Sequence, residues 1–184
     1  VFLDRDGTLN HCFPTADGAT TRPPQSIDEL TLVDRAGESC ARLRAAGFAL
    51  FLVTNQPDVA RGTQSRDRVD AMNRHLVSVL GLEGAAACYH DDADRCLCRK
   101  PQPGLILTLA DQHGIDVAGS WVVGDRASDV LAGQAAGCRT VLVARTSAEP
   151  HPQDHHVPSL AAAADLILAH RHAHHATSGS RHAS

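Results

Sequence analysis

The 184-residue sequence predicts an α/β fold, a doubly wound parallel sheet covered by helices on both sides. Three observations carry this expectation. Runs such as FALFLVTN and SWVVGD are apolar enough to be buried on both faces, segments with helical spacing lie between them, and several runs end in a polar residue.

Val1 to Leu3 read as a first buried strand, stopped by the Gly7-Thr8 turn. Residues 10 to 31 carry three prolines and several turn formers, so an irregular loop over the strand ends is expected. Ala36, Cys40 and Leu43 share a helical face, Gly47 stops that helix, and FALFLVTN forms the second strand. Ser65 caps a helix that buries Val69, Met72, Leu76 and Val79 and ends at Gly81. Ala85 to Cys88 read as a short third strand, followed by a polar loop to Lys100. Pro103 opens a helix with Ile106, Leu109 and Ala110 inside. SWVVGD is the fourth strand, Ser128 caps a helix that stops at Gly137, TVLVA is the fifth strand, and DLILA at 165–169 is the sixth. From Arg171 the pattern dissolves into RHAHHATSGSRHAS. Eight of the 12 histidines lie at or beyond His151, but without regular ligand spacing, so 171–184 is expected to be an unordered, solvated tail on a single domain of residues 1–170.

Length and an apolar content of 43% suit one domain with a proper core. Net charge is −4 and the arginines are scattered, so no basic stripe recommends nucleic acid as a partner. No run is long enough to span a membrane, and no signal peptide precedes the first strand. Residue 1 already lies inside that strand, as a trimmed start would leave it. A cytoplasmic monomer acting on a small molecule is the expectation.

Side chains along a strand alternate, so Asp4 and Asp6 at the end of the first strand face one way. Two carboxylates that close repel unless a cation lies between them or one is protonated. One can attack an electrophile while the other exchanges a proton, and Mg²⁺ at hard oxygen ligands would neutralise the pair. The plainer alternative is an Asp-Gly turn closing a surface hairpin. Thr54 and Asn55 end the second strand and Asp125 the fourth. In an open parallel sheet such ends meet at the crevice where strand order reverses. Singly, Thr54-Asn55 also reads as a turn, and Asp125 with Ser128 as helix caps.

Cys88, His90, Cys96 and Cys98 supply four soft ligands, the complement of a closed, structural zinc site. A disulfide or unrelated thiols are the other readings, although a Cys-x-Cys pair bridges to itself only with difficulty. Arg99 and Lys100 follow the last ligand directly, so a bound metal would also aim these two cations. Cys12, Cys40 and Cys138 look like ordinary small residues, Cys12 lying close to the Asp4–Asp6 loop.

DRDGT at 4–8, VTNQ at 53–56, RKP at 99–101 and GDRASD at 124–129 resemble the four ordered motifs of the haloacid dehalogenase superfamily over residues 1 to about 145. The C-Y-H and C-L-C-R-K-P-x-P-G segments resemble its zinc-loop branch, which includes heptose 1,7-bisphosphate and histidinol-phosphate phosphatases. The resemblance implies a Rossmann-like fold without a large cap domain, and an open site. It makes Asp4 the nucleophile that forms an aspartyl-phosphate and Asp6 the acid and base. Mg²⁺ would be held by Asp4, the backbone carbonyl of Asp6 and Asp125. Thr54 and Lys100 would meet the phosphoryl oxygens. Asn55, Arg99 and Arg126 would contact the substrate, and Asp129 would support the metal site from farther out. Relatives usually carry Cys-Pro-His where this chain has Cys88-Tyr89-His90, and CFPT at 12–15 does not match the heptose enzymes' usual substrate loop. The activity implied is removal of the 7-phosphate of a heptose 1,7-bisphosphate. VARG at 59–62 and PxPG at 101–104 lean that way, whereas GDRASD and the five residues between His90 and Cys96 suit histidinol phosphate. A zinc-stabilised binding module without activity is the alternative of another class.

Overall fold

The computed structural model describes residues 1–16, 18–144 and 154–179, with side chains as far as Arg171. In chain order it contains β1 (Phe2–Leu3), β2 (Phe13–Pro14), β3 (Thr21–Arg22), α1 (Ala36–Ala45), β4 (Phe51–Asn55), α2 (Arg66–Leu80) and β5 (Gly84–Cys88). A 3₁₀ turn (Asp92–Asp94), α3 (Gly104–His113), β6 (Trp121–Gly124), α4 (Ala127–Ala135), β7 (Arg139–Val143), β8 (His155–Val157) and α5 (Leu160–Gly179) follow. Six strands form one parallel sheet in the order β5-β4-β1-β6-β7-β8.

Strand β1 is central because its residues tolerate no water on either side. Phe2 and Leu3 are wholly buried, and burial of side chains this large contributes about 1.5–3 kcal/mol each. The alternation of the strands sorts the core into two layers. Leu3, Leu52 and Val123 pack toward α1, the end of α2 and α5, while Phe2, Phe51, Val53 and Val122 pack toward α3 and α4. Leu3 pairs with Leu52 on one side and Val123 on the other. Asp4 therefore leaves the sheet at the level where β4 runs on to Thr54 and β6 to Asp125.

Helix α2 begins and ends as its sequence predicts. The Ser65 hydroxyl accepts from the Arg68 N–H at 3.3 Å, and Gly81 closes the helix at φ 63°. Several expectations need correction. Val79 is 51% exposed, because the apolar stripe of α2 runs through Val69, Met72, Leu76 and Leu80 instead. Ser128 lies inside α4, whose cap is Arg126; the Asp129 carboxylate accepts the Arg126 N–H at 3.0 Å. The loop at 10–31 contains the β2–β3 hairpin, with Arg22 paired to Glu29 at 2.7 Å. DLILA is not a strand. It belongs to α5, where Leu160, Ala163, Ala164 and Ile167 bury one face at helical spacing, and the sixth strand is β8. The α5 backbone also continues through Arg171 to Gly179, where an unordered tail is expected; 180–184 lie outside the described residues. Among the described residues no helix is long and apolar enough to cross a membrane.

Candidate active site

The turn after β1 is tied into a knot by one carbonyl. Arg5 O accepts the N–H groups of Thr8, Leu9 and Asn10, and the Gly7 N–H bonds Asn10 O at 2.8 Å. Gly7 sits at φ 92°, and a Cβ there would stand 2.2 Å from an Asp125 oxygen. Both the backbone angle and the space demand glycine. Gly124 is similarly constrained, since its Cβ would stand 2.3 Å from Asp129.

Lys100 gathers the strand ends. Its Nζ lies 2.6 Å from Asp4 Oδ1, 2.5 Å from Asp129 Oδ1 and 2.9 Å from Val53 O, which uses all three ammonium protons. Asn55 holds the lysine from behind: its Nδ2 donates to Lys100 O at 2.9 Å, and its Oδ1 accepts the Lys100 N–H at 3.0 Å. Asn55 borders the cleft as expected, but its amide is spent on the backbone of Lys100. Thr54 accepts from Gln56 Nε2 at 2.8 Å, which leaves the threonine proton free to be donated.

A cleft of 480 Å³ opens over these residues. It brings together Asp4, Asp6, Thr54, Asn55, Arg99, Lys100 and Arg126, all of them expected from sequence, with the β2–β3 hairpin and Asp58 and Arg61 on its rim. Asp125 borders a neighbouring hollow with Gly7 and Thr8. Its ligand oxygen still lies within 4.8 Å of those of Asp4 and Asp129. Asp129 thus stands closer than its place inside a helix suggests, although its two oxygens are committed to Lys100 and the Arg126 N–H.

Three carboxylates share this space with one ammonium. Burial pulls the Lys100 ammonium down, but Asp129 and Asp4 outweigh it and hold it above its ordinary value. Burial pushes the Asp4 carboxyl up to about 8, against the pull of Lys100 and with further push from Asp129, Asp125 and Asp6. Asp125 is raised to about 6, again chiefly by burial, with Asp129 adding to it. The site has an excess of negative charge that a divalent cation would relieve. Its donors are hard oxygens, and Asp125 Oδ1 is buried with no hydrogen-bond partner among the described residues. These residues fit Mg²⁺.

A consequence follows for stability. Because Asp4 and Asp125 ionise at higher pH in the fold than in an unfolded chain, the stability linked to them is complete below about pH 4 and is lost as pH rises toward about 8. A bound cation reverses that loss. Millimolar Mg²⁺ is therefore expected to raise the thermal midpoint more at about pH 8 than at about pH 5. Melting curves at both pH values, with and without the metal, check this; equal increments would contradict it.

The second cluster is the sulfur site. Cys98 Sγ lies 3.3 Å from Cys88 Sγ and 3.4 Å from Cys96 Sγ, and His90 Nδ1 lies 3.3 Å from Cys98 Sγ. Ligands at zinc–sulfur distance on a tetrahedron stand roughly 3.8 Å apart, so the four atoms nearly describe that shell. All six cysteines are free in the structure, and the sulfurs of the cluster lie at least 3.3 Å apart, beyond disulfide-bond length. The Arg99 N–H donates to Cys96 Sγ at 3.4 Å. Asp91 and Asp92, in the same loop, pair with Arg61 at 2.6 Å and with Arg99 Nε at 2.7 Å, so the loop fixes two of the arginines that line the cleft. Arg99 Nη1 is buried without a hydrogen-bond partner among the described residues. Tyr89 donates to Asp70 and lies under Arg66 at 4.6 Å.

A family model described as HAD-hydrolase-like matches residues 97–170, which include Lys100, Asp125 and Asp129. The chain is 33% identical over 179 residues to a D-glycero-beta-D-manno-heptose-1,7-bisphosphate 7-phosphatase of Pseudomonas aeruginosa, covering 91% of this chain and 97% of the relative. The chain belongs to the haloacid dehalogenase-like phosphatase family. A 7-phosphatase of the same description from Rhodopseudomonas palustris is 39% identical over 149 residues, covering 74% of this chain and 78% of that protein. Among solved structures, a D,D-heptose 1,7-bisphosphate phosphatase from B. bronchiseptica, complexed with magnesium and phosphate, superposes with a TM-score of 0.76 at 28% identity. It covers 92% of this chain and 98% of that one. Family motifs account for Asp4, Asp6, Thr54, Lys100 and Asp125. Arg5, Asn10 and Gln56, all buried around Asp6, were not singled out from sequence. A charged residue between two aspartates at the end of a buried strand is the signal that points to Arg5.

Proposed function

We propose that this protein removes the 7-phosphate of a heptose 1,7-bisphosphate through an aspartyl-phosphate on Asp4. The observation that carries the reading is the placement of Asp4 at 2.6 Å from Lys100 at the floor of the cleft, in a chain whose extended relatives are 7-phosphatases of this substrate. Asp4, Asp125 and the Asp6 carbonyl would hold Mg²⁺, which would supply charge neutralisation for the transferring phosphoryl group. An Asp4 oxygen attacks phosphorus as the bond to the sugar O7 breaks, and the Asp6 proton goes to O7. A water then attacks phosphorus and gives its proton to Asp6 as the phosphorus–Asp4 bond breaks, releasing inorganic phosphate and restoring both aspartates. Thr54 donates its hydroxyl proton to a phosphoryl oxygen, Lys100 counters the charge of another, and Asn55 keeps that lysine in place. Arg99 and Arg126, which line the cleft, hold the far end of the sugar. Cys88, His90, Cys96 and Cys98 would hold zinc as a structural ion, with no ligand position left for substrate.

Regioselectivity tests this. A primary C7 ester projects clear of the ring and reaches Asp4, whereas the anomeric ester is crowded. Phosphorus NMR is expected to show the C7 phosphate leaving first and the C1 phosphate retained. The bisphosphate should be hydrolysed at least about tenfold more efficiently than the 7-monophosphate, a difference of ~1.4 kcal/mol from the distal contact. A first product that keeps its 7-phosphate, or faster turnover of histidinol phosphate, would overturn the assignment.

A further inference from the structure

Arg5 is wholly buried, and its guanidinium is fixed at both ends. Nε and Nη2 fork onto Asp6 at 3.0 and 2.9 Å, while Nη1 donates to Asn73 Oδ1 at 3.1 Å in the middle of α2. A buried arginine is costly, and an apolar side chain of similar volume commonly serves stability as well or better. Its presence here calls for a role beyond packing. The carboxylate it grips is also held from its other sides: Asn10 Nδ2 donates to Asp6 Oδ1 at 3.1 Å and Gln56 Nε2 to Oδ2 at 2.7 Å. Each of these amides has a second bond of its own, Asn10 to His11 O and Gln56 to Thr54 Oγ1. Four N–H groups among the described residues thus take two positions on each oxygen, the full in-plane capacity of a carboxylate.

We infer that Arg5 is a positioning residue: it fixes the plane and height at which Asp6 meets the leaving oxygen, with Asn73 as its anchor. The inference rests on the proposed role of Asp6 as acid and base, and Arg5 does not itself line the cleft. In the step concerned, the bond from phosphorus to the leaving oxygen breaks, the Asp6 proton passes to that oxygen, and the resulting carboxylate takes up the four contacts seen here; the protonated Asp6 that precedes it makes one N–H contact fewer. A planar guanidinium sets two contacts at a fixed angle; a lysine ammonium keeps the charge but sets only a point.

The test compares two leaving groups in Arg5→Lys and Asn73→Ala. An alkoxide needs the proton, whereas dinitrophenolate departs without one, so kcat/KM for 2,4-dinitrophenyl phosphate is insensitive to proton delivery. On the heptose bisphosphate, Arg5→Lys is expected to lower kcat by about 30-fold or more with KM within about twofold, and to lower kcat/KM on the aryl phosphate by less than about threefold. Asn73→Ala, which leaves Arg5 and Asp6 intact, is expected to show the same selective loss at about three- to tenfold, and it carries the test alone if Arg5→Lys does not fold. Equal losses on both substrates, following a fall in thermal midpoint, would reduce Arg5 to a structural residue and overturn the inference. So would wild-type kinetics in both variants. A wild-type protein inert toward both substrates would overturn the functional reading, and this one with it.

Discussion

Replacing Asp4 with asparagine is expected to lower phosphate release by about 10⁴-fold or more, with the thermal midpoint moving by only a few degrees. The amide keeps the shape of the carboxylate but has no oxygen basic enough to attack phosphorus, and no other group in the cleft stands in its position. The small effect on stability follows from the environment. Burial disfavours the charged form of the Asp4 carboxyl, so a neutral amide of the same shape costs the fold little there. Lys100 also keeps two of its three partners, Asp129 at 2.5 Å and Val53 O at 2.9 Å. Purified variant and wild type, compared for phosphate release and by thermal melt, check both halves of the statement.

Replacing Cys98 with serine is expected to damage stability and activity together. Its sulfur stands within 3.4 Å of each of the other three proposed ligand atoms, so it is a full vertex of the shell. The loop from Tyr89 to Arg99 has little else to hold it, since Leu97 is 79% exposed and the 3₁₀ turn has no buried residue. Loss of a structural metal belongs to the class of severe substitutions, here about 3 kcal/mol or more, which is roughly 6–12 °C for a chain of this length. The functional loss follows through two routes. Lys100 follows the loop directly, and Asp91 and Asp92, inside it, fix Arg61 and Arg99 on the rim. Elemental analysis of the wild type is expected to give about one zinc per chain beyond metal taken up by the histidine-rich tail. A metal-free protein with an unchanged midpoint, or a Cys98→Ser variant that melts and turns over as wild type, would contradict this part of the account.

The sheet is legible in the sequence wherever burial on both faces leaves no room for polar residues, as in FALFLVTN and SWVVGD. It is ambiguous where a short apolar run fits two periods. LILA passes for a strand until Leu160, Ala163, Ala164 and Ile167 are counted together, and β8, with two histidines in three residues, has too little apolar character to announce itself. The proposed catalytic aspartates and the proposed sulfur ligands can be read because strand ends and ligand spacing are local properties. The roles of Arg5, Asn55 and Gln56 are not local. Arg5 depends on Asn73, 68 residues away, and Asn55 on the backbone of Lys100, 45 residues away. Pairings of that kind arise only when α2 and the sulfur loop are packed against the strand ends.

The central claim is that phosphoryl transfer passes through Asp4, and a covalent intermediate is its most direct signature. Rapid acid quench during turnover of the heptose bisphosphate, followed by peptide mass analysis, is expected to find a hydroxylamine-labile phosphoryl group on the peptide that contains Asp4, and none in Asp4→Asn. Rapid phosphate release with no enzyme-bound phosphoryl group, from an Asp4→Asn variant that still turns over, would contradict it.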